Sequence, residues 1–316
     1  MNHLELAKLG KNDWWRYVLG ILIIGVMWQV VGGIPVIALA IHLMADNDPN
    51  TNFIEATARF EGISPLVSYI AISCMFIGML GGIYLVVKFL HCRQFVTLIT
   101  ASKRINWRRY FQGLGVYFAL MLIMSIGSYL FNPTDFKFNL NLSAFLMFLP
   151  FVLVLTPLQA SVEELLFRGY LLQGVGVLIK NKLIVAIASG ILFMALHLKN
   201  PEVKINFILM PLTYFTMGFI FALITLRDNG LELAMGAHSA NNLFLFVFIN
   251  YDKSAIESPS MFVTVAPEPL VALVGFIILT AIFYVVVYKV FGERKDDSKN
   301  WQLAQEGKEP LVTVKA

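Results

Sequence analysis

Long apolar stretches separated by short polar ones dominate the chain. About 20 apolar residues are needed to cross the hydrocarbon core of a bilayer. By this measure the pattern predicts eight membrane spans, at residues 17–44, 65–90, 111–131, 143–180, 183–198, 207–226, 231–250 and 269–291. The expected fold is therefore all-α: a polytopic integral membrane bundle of about eight transmembrane helices.

One of these stretches, residues 143–180, is too long for a single straight span. Thr156 precedes Pro157, an order typical of an N-cap followed by proline at the first position of a helix. We therefore expect a helix to restart at Pro157, with Glu163 in its second turn.

Composition and charge agree with a membrane protein and orient it. The chain is 58% hydrophobic and only 14% charged. Soluble domains have about 45–50% apolar residues and about 25% charged ones. Of the 24 lysines and arginines, five fall in segments that would lie outside if the N-terminus is inside, and one, Arg168, lies within a span. The positive-inside rule then predicts that both termini are cytoplasmic. It also accounts for the net charge of +4 without any nucleic-acid partner.

The pattern divides the chain into four parts. Residues 1–142 hold the first three helices and a basic cytoplasmic loop at 91–110. Residues 143–250 form a core that contains the polar motifs. Residues 251–291 hold an outer loop and the last membrane helix. Residues 292–316 are polar, mixed in charge and poor in large apolar residues, which predicts a disordered cytoplasmic tail.

Three charges stand inside the apolar run 143–180. An ionisable residue within a membrane span is costly, so it is usually paired, lines a cavity or takes part in chemistry. Glu164 and Arg168 are four residues apart and form a favourable ion pair on a helix. Glu163 is rotated by about 100° from Glu164. We therefore expect Glu164 to be structural and Glu163 to face a polar cavity.

Two further helices carry polar side chains at helical spacing. Phe193 and His197 share one helix face, as do His238 and Asn242. Helices joined near residues 180–182 would hold Glu163 and His197 at similar distances from the connection. Phe193 is expected to be a wall of the pocket.

These residues fit two kinds of chemistry. Glu163 and His197 form a general acid–base pair that can activate water, and His238 with Asn242 can stabilise an oxyanion. Alternatively, Glu163, His197 and His238 offer a zinc ligand set with an open position for water. Zinc is thus the one cofactor for which the sequence offers a set of ligands.

Three motifs together resemble those of a known family. They are Glu-Glu-x-x-x-Arg (Glu163, Glu164, Arg168), Phe-x-x-x-His (Phe193, His197) and His-x-x-x-Asn (His238, Asn242). They look like the signatures of the CPBP intramembrane proteases, which include type II CAAX prenyl endopeptidases and Abi-like proteins of bacteriocin processing or self-immunity. The resemblance covers about residues 143–250.

The resemblance implies eight helices around a conical cavity that is open to the cytosolic side. It also implies that Glu163 and His197 activate the water and that His238 and Asn242 stabilise the oxyanion. Both metalloprotease and glutamate-protease labels are in use for the family.

The expected function is hydrolysis of a peptide bond in a membrane-associated protein or peptide precursor, of CAAX type or of bacteriocin or leader type. The expected location is a bacterial cell membrane. The alternative is a non-catalytic immunity or scaffold protein that keeps the motifs for binding. A transporter is a weaker hypothesis, because no inverted repeat is visible in the sequence.

Overall fold

The fold is seen in a computed structural model, which describes residues 1–46, 48–54, 59–102, 104–251, 254, 256, 258–265 and 268–294. Ten α-helices lie within this part of the chain. They are α1 Trp14–Val26, α2 Ile34–Ala45, α3 Pro65–Leu85, α4 Trp107–Phe131, α5 Leu142–Glu164, α6 Leu172–Leu178, α7 Lys182–His197, α8 Leu209–Asp228, α9 Glu232–Val247 and α10 Pro269–Val286. Beyond Arg294, the predicted disordered tail at 292–316 lies outside the described residues.

Four π-helical segments extend these helices. They are Met27–Val31 after α1, Val86–Leu90 after α3, Leu165–Leu171 between α5 and α6, and Val287–Phe291 after α10. A π turn adds one residue to a helical turn and is frequent at functional sites. The segment Leu165–Leu171 directly follows the two glutamates of the first motif.

Six helical segments of the described chain are long and apolar enough to cross a membrane. They are Trp14–Ala45, Pro65–Leu90, Trp107–Phe131, Leu142–Leu178, Leu209–Asp228 and Pro269–Phe291. The helices α7 and α9 occupy the other two predicted regions but have only 16 residues each. The multi-pass helical membrane bundle is thus confirmed, with six full-length candidate spans and two shorter helices where eight spans were predicted.

The prediction that a helix restarts at Pro157 is wrong. The helix α5 continues from Leu142 to Glu164 with Pro150 and Pro157 inside it. Thr156 is buried and its hydroxyl shares a hydrogen bond of 2.7 Å with the hydroxyl of Tyr69. A new N-terminus within an apolar region would leave several N–H groups unsatisfied, whereas a proline inside a continuous helix removes only one donor.

Short strands mark one end of the bundle. The strand β1 (Asn52–Ile54) pairs antiparallel with β2 (Arg59–Glu61). A second sheet has the order β3–β5–β4, with β3 at Phe136–Phe138, β4 at Ile249–Tyr251 and β5 at Phe262–Thr264. This sheet joins the loops that follow α4 and α9 to the loop that precedes α10. The loop after α7 lies beside them, because Tyr251 of β4 donates to Glu202 Oε1. We call this region, residues 132–141, 198–208, 248–251 and 258–265, the strand end.

The opposite end is held by charged side chains. Arg109 binds Asp228 at 2.6 Å and Arg294 binds Glu232 at 2.7 Å. Thr100 and Gly230 form an isolated β-bridge there. We call this region, residues 91–102, 104–106, 227–232 and 292–294, the basic end. These contacts hold the start of α9 against α4, α8 and the end of α10.

Close approach of backbones fixes α9 against α4. A Cβ atom on Gly236 of α9 would lie 2.1 Å from the Tyr110 carbonyl oxygen of α4, and one on Gly113 of α4 would lie 2.5 Å from the Leu233 carbonyl oxygen. Real Cβ atoms do not approach oxygen so closely, so only glycine allows this packing. It sets the position of α9, which carries the third motif.

A short 3-10 helix at His3–Leu9 packs on the outside of the basic end. Asn2 and Glu5 form a capping box at its start. His3 Nε2 lies 3.0 Å from the Arg168 carbonyl oxygen, and the side-chain oxygen of Asn229 accepts from the His3 amide. The N-terminal segment therefore closes the bundle directly behind the first motif.

Candidate active site

The two glutamates of the first motif have different surroundings. Both end α5, but Glu164 is fully buried, whereas the Glu163 side chain is 11% exposed. Arg168 Nη1 donates to Glu164 Oε1 at 2.7 Å, and His238 Nδ1 donates to the same oxygen at 2.8 Å. Glu163 instead lines a cavity. The rotation of about 100° per residue along a helix accounts for this difference.

Arg168 is enclosed by aromatic rings and carbonyl groups. Its guanidinium carbon lies 4.7 Å from the centre of the Phe193 ring and 5.6 Å from that of Phe221. Nη2 donates to the Met217 and Gly218 carbonyl oxygens at 3.2 and 3.3 Å. Such contacts stabilise a buried cation, which in turn compensates the charge of Glu164.

His238 connects the two glutamates. Its Nδ1 bonds to Glu164 Oε1, and its Nε2 lies 3.9 Å from Glu163 Oε2. Because a carboxylate only accepts hydrogen bonds, Nδ1 carries a proton. Nε2 can then donate a hydrogen bond only in the imidazolium form of His238. With that proton, the two glutamates, Arg168 and His238 together carry no net charge.

His197 lies between two aromatic rings at the end of α7. Its ring stacks on Phe193 at 4.2 Å and 25°, and on Tyr214 at 4.6 Å and 27°. Nδ1 donates to the Phe193 carbonyl oxygen at 2.7 Å. Nε2 of the neutral ring is therefore unprotonated, and it lies 4.0 Å from Glu163 Oε2.

Asn242 lies one helical turn beyond His238 and lines the same cavity. The neighbouring Asn241 donates from its side-chain nitrogen to Asn242 Oδ1 at 3.0 Å. With its oxygen occupied in this way, Asn242 retains the two N–H groups of its amide as donors.

The cavity has a volume of about 270 Å³. Glu163, His197, His238 and Asn242 all line it, so the structure brings together the four residues for which catalytic roles are predicted. Its other walls combine apolar side chains, such as Met210, Leu245 and Phe276, with polar residues of the loops, which are Asn200, Glu202, Asn250, Tyr251 and Ser254. A narrower branch of about 210 Å³ shares Glu163 and His197 and is lined by apolar side chains of the first helices, including Trp28, Ile72, Phe76 and Met79.

The sequence interpretation missed several residues at this site. Gln159 Nε2 donates to Glu163 Oε1 at 3.4 Å, and its spacing of four residues from Glu163 was a detectable signal. Tyr214 covers His197, and Asn200 donates to the Tyr214 hydroxyl at 3.0 Å. Both lie outside the three motifs, and no spacing relates them to His197.

The donor set does not match a zinc site as it stands. Zinc ligands lie about 2.0–2.2 Å from the ion, so atoms of a tetrahedral set lie about 3.4 Å apart. The Nε2 atoms of His197 and His238 lie 4.0 and 3.9 Å from Glu163 Oε2. Across the described residues, no group of three His, Cys, Asp or Glu side chains is arranged to hold a metal ion.

The structure is thus a helical membrane bundle in which one glutamate, two histidines and an asparagine line one cavity. Residues 143–244 match the family model described as type II CAAX prenyl endopeptidase Rce1-like. The chain belongs to this family, the CPBP intramembrane proteases.

A similar protein is the "Uncharacterized protein YyaK" of Bacillus subtilis (strain 168). It is 34% identical over 272 residues, which cover 85% of this chain and 90% of the relative. No solved structure matches the chain. Membership of this family indicates a membrane peptidase whose substrate is a peptide or a protein.

Proposed function

We propose that this protein is an intramembrane endopeptidase that hydrolyses a peptide bond of a membrane-associated protein or peptide precursor. The observation that carries the proposal is the separation of Glu163 Oε2 from His197 Nε2, 4.0 Å, at the surface of a cavity. This separation is longer than a direct hydrogen bond. A water oxygen about 2.8 Å from both atoms fits between them.

In the first step Glu163 acts as the general base. It accepts a proton from this water as the water oxygen attacks the carbonyl carbon of the scissile bond. The water also donates its second hydrogen to His197 Nε2, which orients a lone pair towards the substrate. The Nδ1–H bond to the Phe193 carbonyl oxygen keeps His197 in the tautomer that this role requires.

The tetrahedral intermediate carries its negative charge on the former carbonyl oxygen. His238 Nε2–H and the Asn242 side-chain N–H groups are the donors for this oxyanion, and Glu164 orients His238 through its Nδ1. Donors that are already oriented before reaction are the most effective, since they need no rearrangement in the transition state.

In the last step Glu163 returns the proton to the leaving nitrogen as the carbon–nitrogen bond breaks. The immediate products are a carboxylic acid, which keeps the second hydrogen of the water, and an amine. At neutral pH they ionise to a carboxylate and an ammonium group, so all atoms of the water are accounted for. No cofactor takes part in this scheme.

The substrate class comprises precursors of CAAX type and of bacteriocin or leader type. We expect the enzyme in a bacterial cell membrane, in line with its relative in Bacillus subtilis. The apolar branch beside Glu163 would receive an apolar part of the substrate.

The test is quantitative proteomics of membranes from cells with the wild-type protein or the Glu163→Ala variant. We expect an uncleaved precursor to accumulate with the variant, at equal amounts of both proteins in the membrane. Normal processing by Glu163→Ala would refute the proposal. Loss of a protective phenotype without any cleavage product would instead favour a non-catalytic immunity or scaffold role.

A further inference from the structure

The cavity extends from the candidate catalytic residues towards the strand end. His197 is the last residue of α7, and Asn200 and Glu202 follow it in the next loop. Tyr251, in β4, and Ser254 follow α9. Tyr251 donates to Glu202 Oε1 at 2.7 Å, which joins the two loops across the cavity. These loops form its far wall.

The other side of the site is closed by buried residues. Glu164, Arg168 and Tyr170 are each 0% exposed. Behind them, His3 of the N-terminal 3-10 helix contacts the Arg168 carbonyl oxygen. A substrate therefore has no route to Glu163 from the basic end through these residues.

The course of α9 shows how the cavity is oriented relative to the basic end. It begins at Glu232, which binds Arg294 at the basic end, and it ends at Val247, next to β4 at the strand end. His238 lies six residues from Glu232, or about 9 Å along the helix. The reacting groups thus lie nearer the basic end, but the cavity leads away from it.

Lysine and arginine are distributed very unequally between the two ends. Among the described side chains, those near the strand end are Lys137, Lys199 and Lys204, whereas those near the basic end are Lys8, Lys11, Arg16, Lys88, Arg93, Arg104, Arg108, Arg109, Lys180, Lys182, Arg227, Lys289 and Arg294. The positive-inside rule counts these residues and assigns the richer end to the cytoplasm.

We propose that the cavity opens to the outer face of the membrane and takes peptide segments that have already been translocated. Two of the sequence-based expectations, cytoplasmic termini and a cavity open to the cytosol, exclude each other in this fold. The N-terminal segment and residues 292–294 lie at the basic end, whereas the cavity leads to the strand end. The charge distribution favours cytoplasmic termini. The substrate class then becomes an exported peptide or the external part of a membrane-anchored precursor, and this last step rests on the proposed function.

The two native cysteines allow a direct test of sidedness. Cys92 is exposed at the basic end, and Cys74 lies within α3. In a Cys74→Ser background, Cys92 reports on the basic end. In a second variant that also carries Cys92→Ser, Lys204→Cys reports on the strand end, where Lys204 is exposed. Neither position belongs to the catalytic set.

The probe is a membrane-impermeant maleimide, applied to intact bacterial cells and to inverted membrane vesicles, with labelling in detergent as the total. We expect the cysteine at position 204 to be labelled at least tenfold more in cells than in vesicles, and Cys92 to show the reverse. Labelling of Cys92 from outside, or equal labelling of both positions in both preparations, would overturn the proposal.

A second measurement separates this inference from the proposed function. An impermeant quenched peptide, derived from a precursor that accumulates in the Glu163→Ala proteome, is added to intact cells. Cleavage outside the cells by wild type but not by Glu163→Ala supports both conclusions. Outward labelling of position 204 refutes the peptidase function only if no precursor accumulates with Glu163→Ala, or if the peptide derived from one is cleaved in neither preparation. Cleavage confined to inverted vesicles refutes the sidedness only.

Discussion

His238 Nδ1 and Glu164 Oε1 are 2.8 Å apart, and both side chains are buried. The fully buried glutamate of the first motif thus orients the histidine of the third, while its neighbour Glu163 faces the cavity. Two adjacent residues of the same type therefore have separate tasks. One contacts Arg168 and His238, and the other faces the cavity.

Replacement of each glutamate by glutamine should separate these tasks. Glu163→Gln removes the general base, so we expect kcat to fall by about 10²–10⁴ with an unchanged unfolding temperature. Glu164→Gln leaves the buried Arg168 without its anionic partner, which costs about 3–5 kcal/mol in the free energy of unfolding. Thermal unfolding in detergent and turnover of a precursor peptide measure both effects. Equal stability of the two variants would contradict this division.

The stack of Tyr214 on His197 should matter more than the Tyr214 hydroxyl. Tyr214→Phe keeps the ring at 4.6 Å from His197 and loses the hydrogen bonds of the hydroxyl with Asn200 and Glu202, so we expect less than about a threefold change in kcat. Tyr214→Ala frees the imidazole on one side, and misplacement of a reacting group by about 1 Å can cost about 10² in rate.

The pH profile of kcat supplies the control for Tyr214. If the Tyr214 ring positions His197, Tyr214→Ala should alter the pH profile, whereas Tyr214→Phe should keep the profile of the wild type. If both variants lose activity equally, the hydroxyl and not the ring is the important group.

His3 should make stability sensitive to mild acid. Burial lowers the pKa of His3 from 6.5 to about 4. The unfolded chain then binds more protons than the folded one between these values, so the free energy of unfolding is highest above pH 6.5. It falls by up to roughly 3 kcal/mol as the pH drops towards 4.

The His3→Gln variant isolates this contribution, since all other titrating groups are unchanged in it. We expect its unfolding temperature in detergent to decline less steeply than that of the wild type between pH 7 and pH 4.5. Parallel declines of the two proteins would show that His3 does not titrate in this way.

Removal of metal should leave activity intact. The separations of 3.9 and 4.0 Å from Glu163 to the two histidines suit a bridging water better than zinc. We expect protein with less than about 0.1 zinc per chain, measured by mass spectrometry after chelation, to keep its turnover. Loss of turnover that zinc restores would make Glu163, His197 and His238 metal ligands instead.

Much of the architecture follows from local patterns in the sequence. Apolar runs located the helices, because the bilayer demands a minimum length of apolar chain. The spacing of Glu164 and Arg168 predicted their ion pair, which the structure contains at 2.7 Å. These relations lie within single helices, where geometry depends only on residue number.

Some contacts between residues of different helices could not be predicted from the sequence. The contact of His238 with Glu164 depends on how α9 is rotated against α5, and the stack of Tyr214 depends on the packing of α8 on α7. The continuation of α5 through Pro157 depends on its apolar surroundings and not on the local signal of Thr156 and Pro157. The direction of the cavity required both the loops of the strand end and the charges of the basic end.

The backbone contact of α9 with α4 at Gly236 bears on how the energy of substrate binding can be used. At that contact the two backbones already touch, so α9 cannot move closer to α4 when a substrate arrives. His238 and Asn242 are thus preorganised, and little binding energy is lost in rearranging them. Adaptation to different substrates is left to the loops after α7 and α9, which can vary in sequence without disturbing the proposed oxyanion donors.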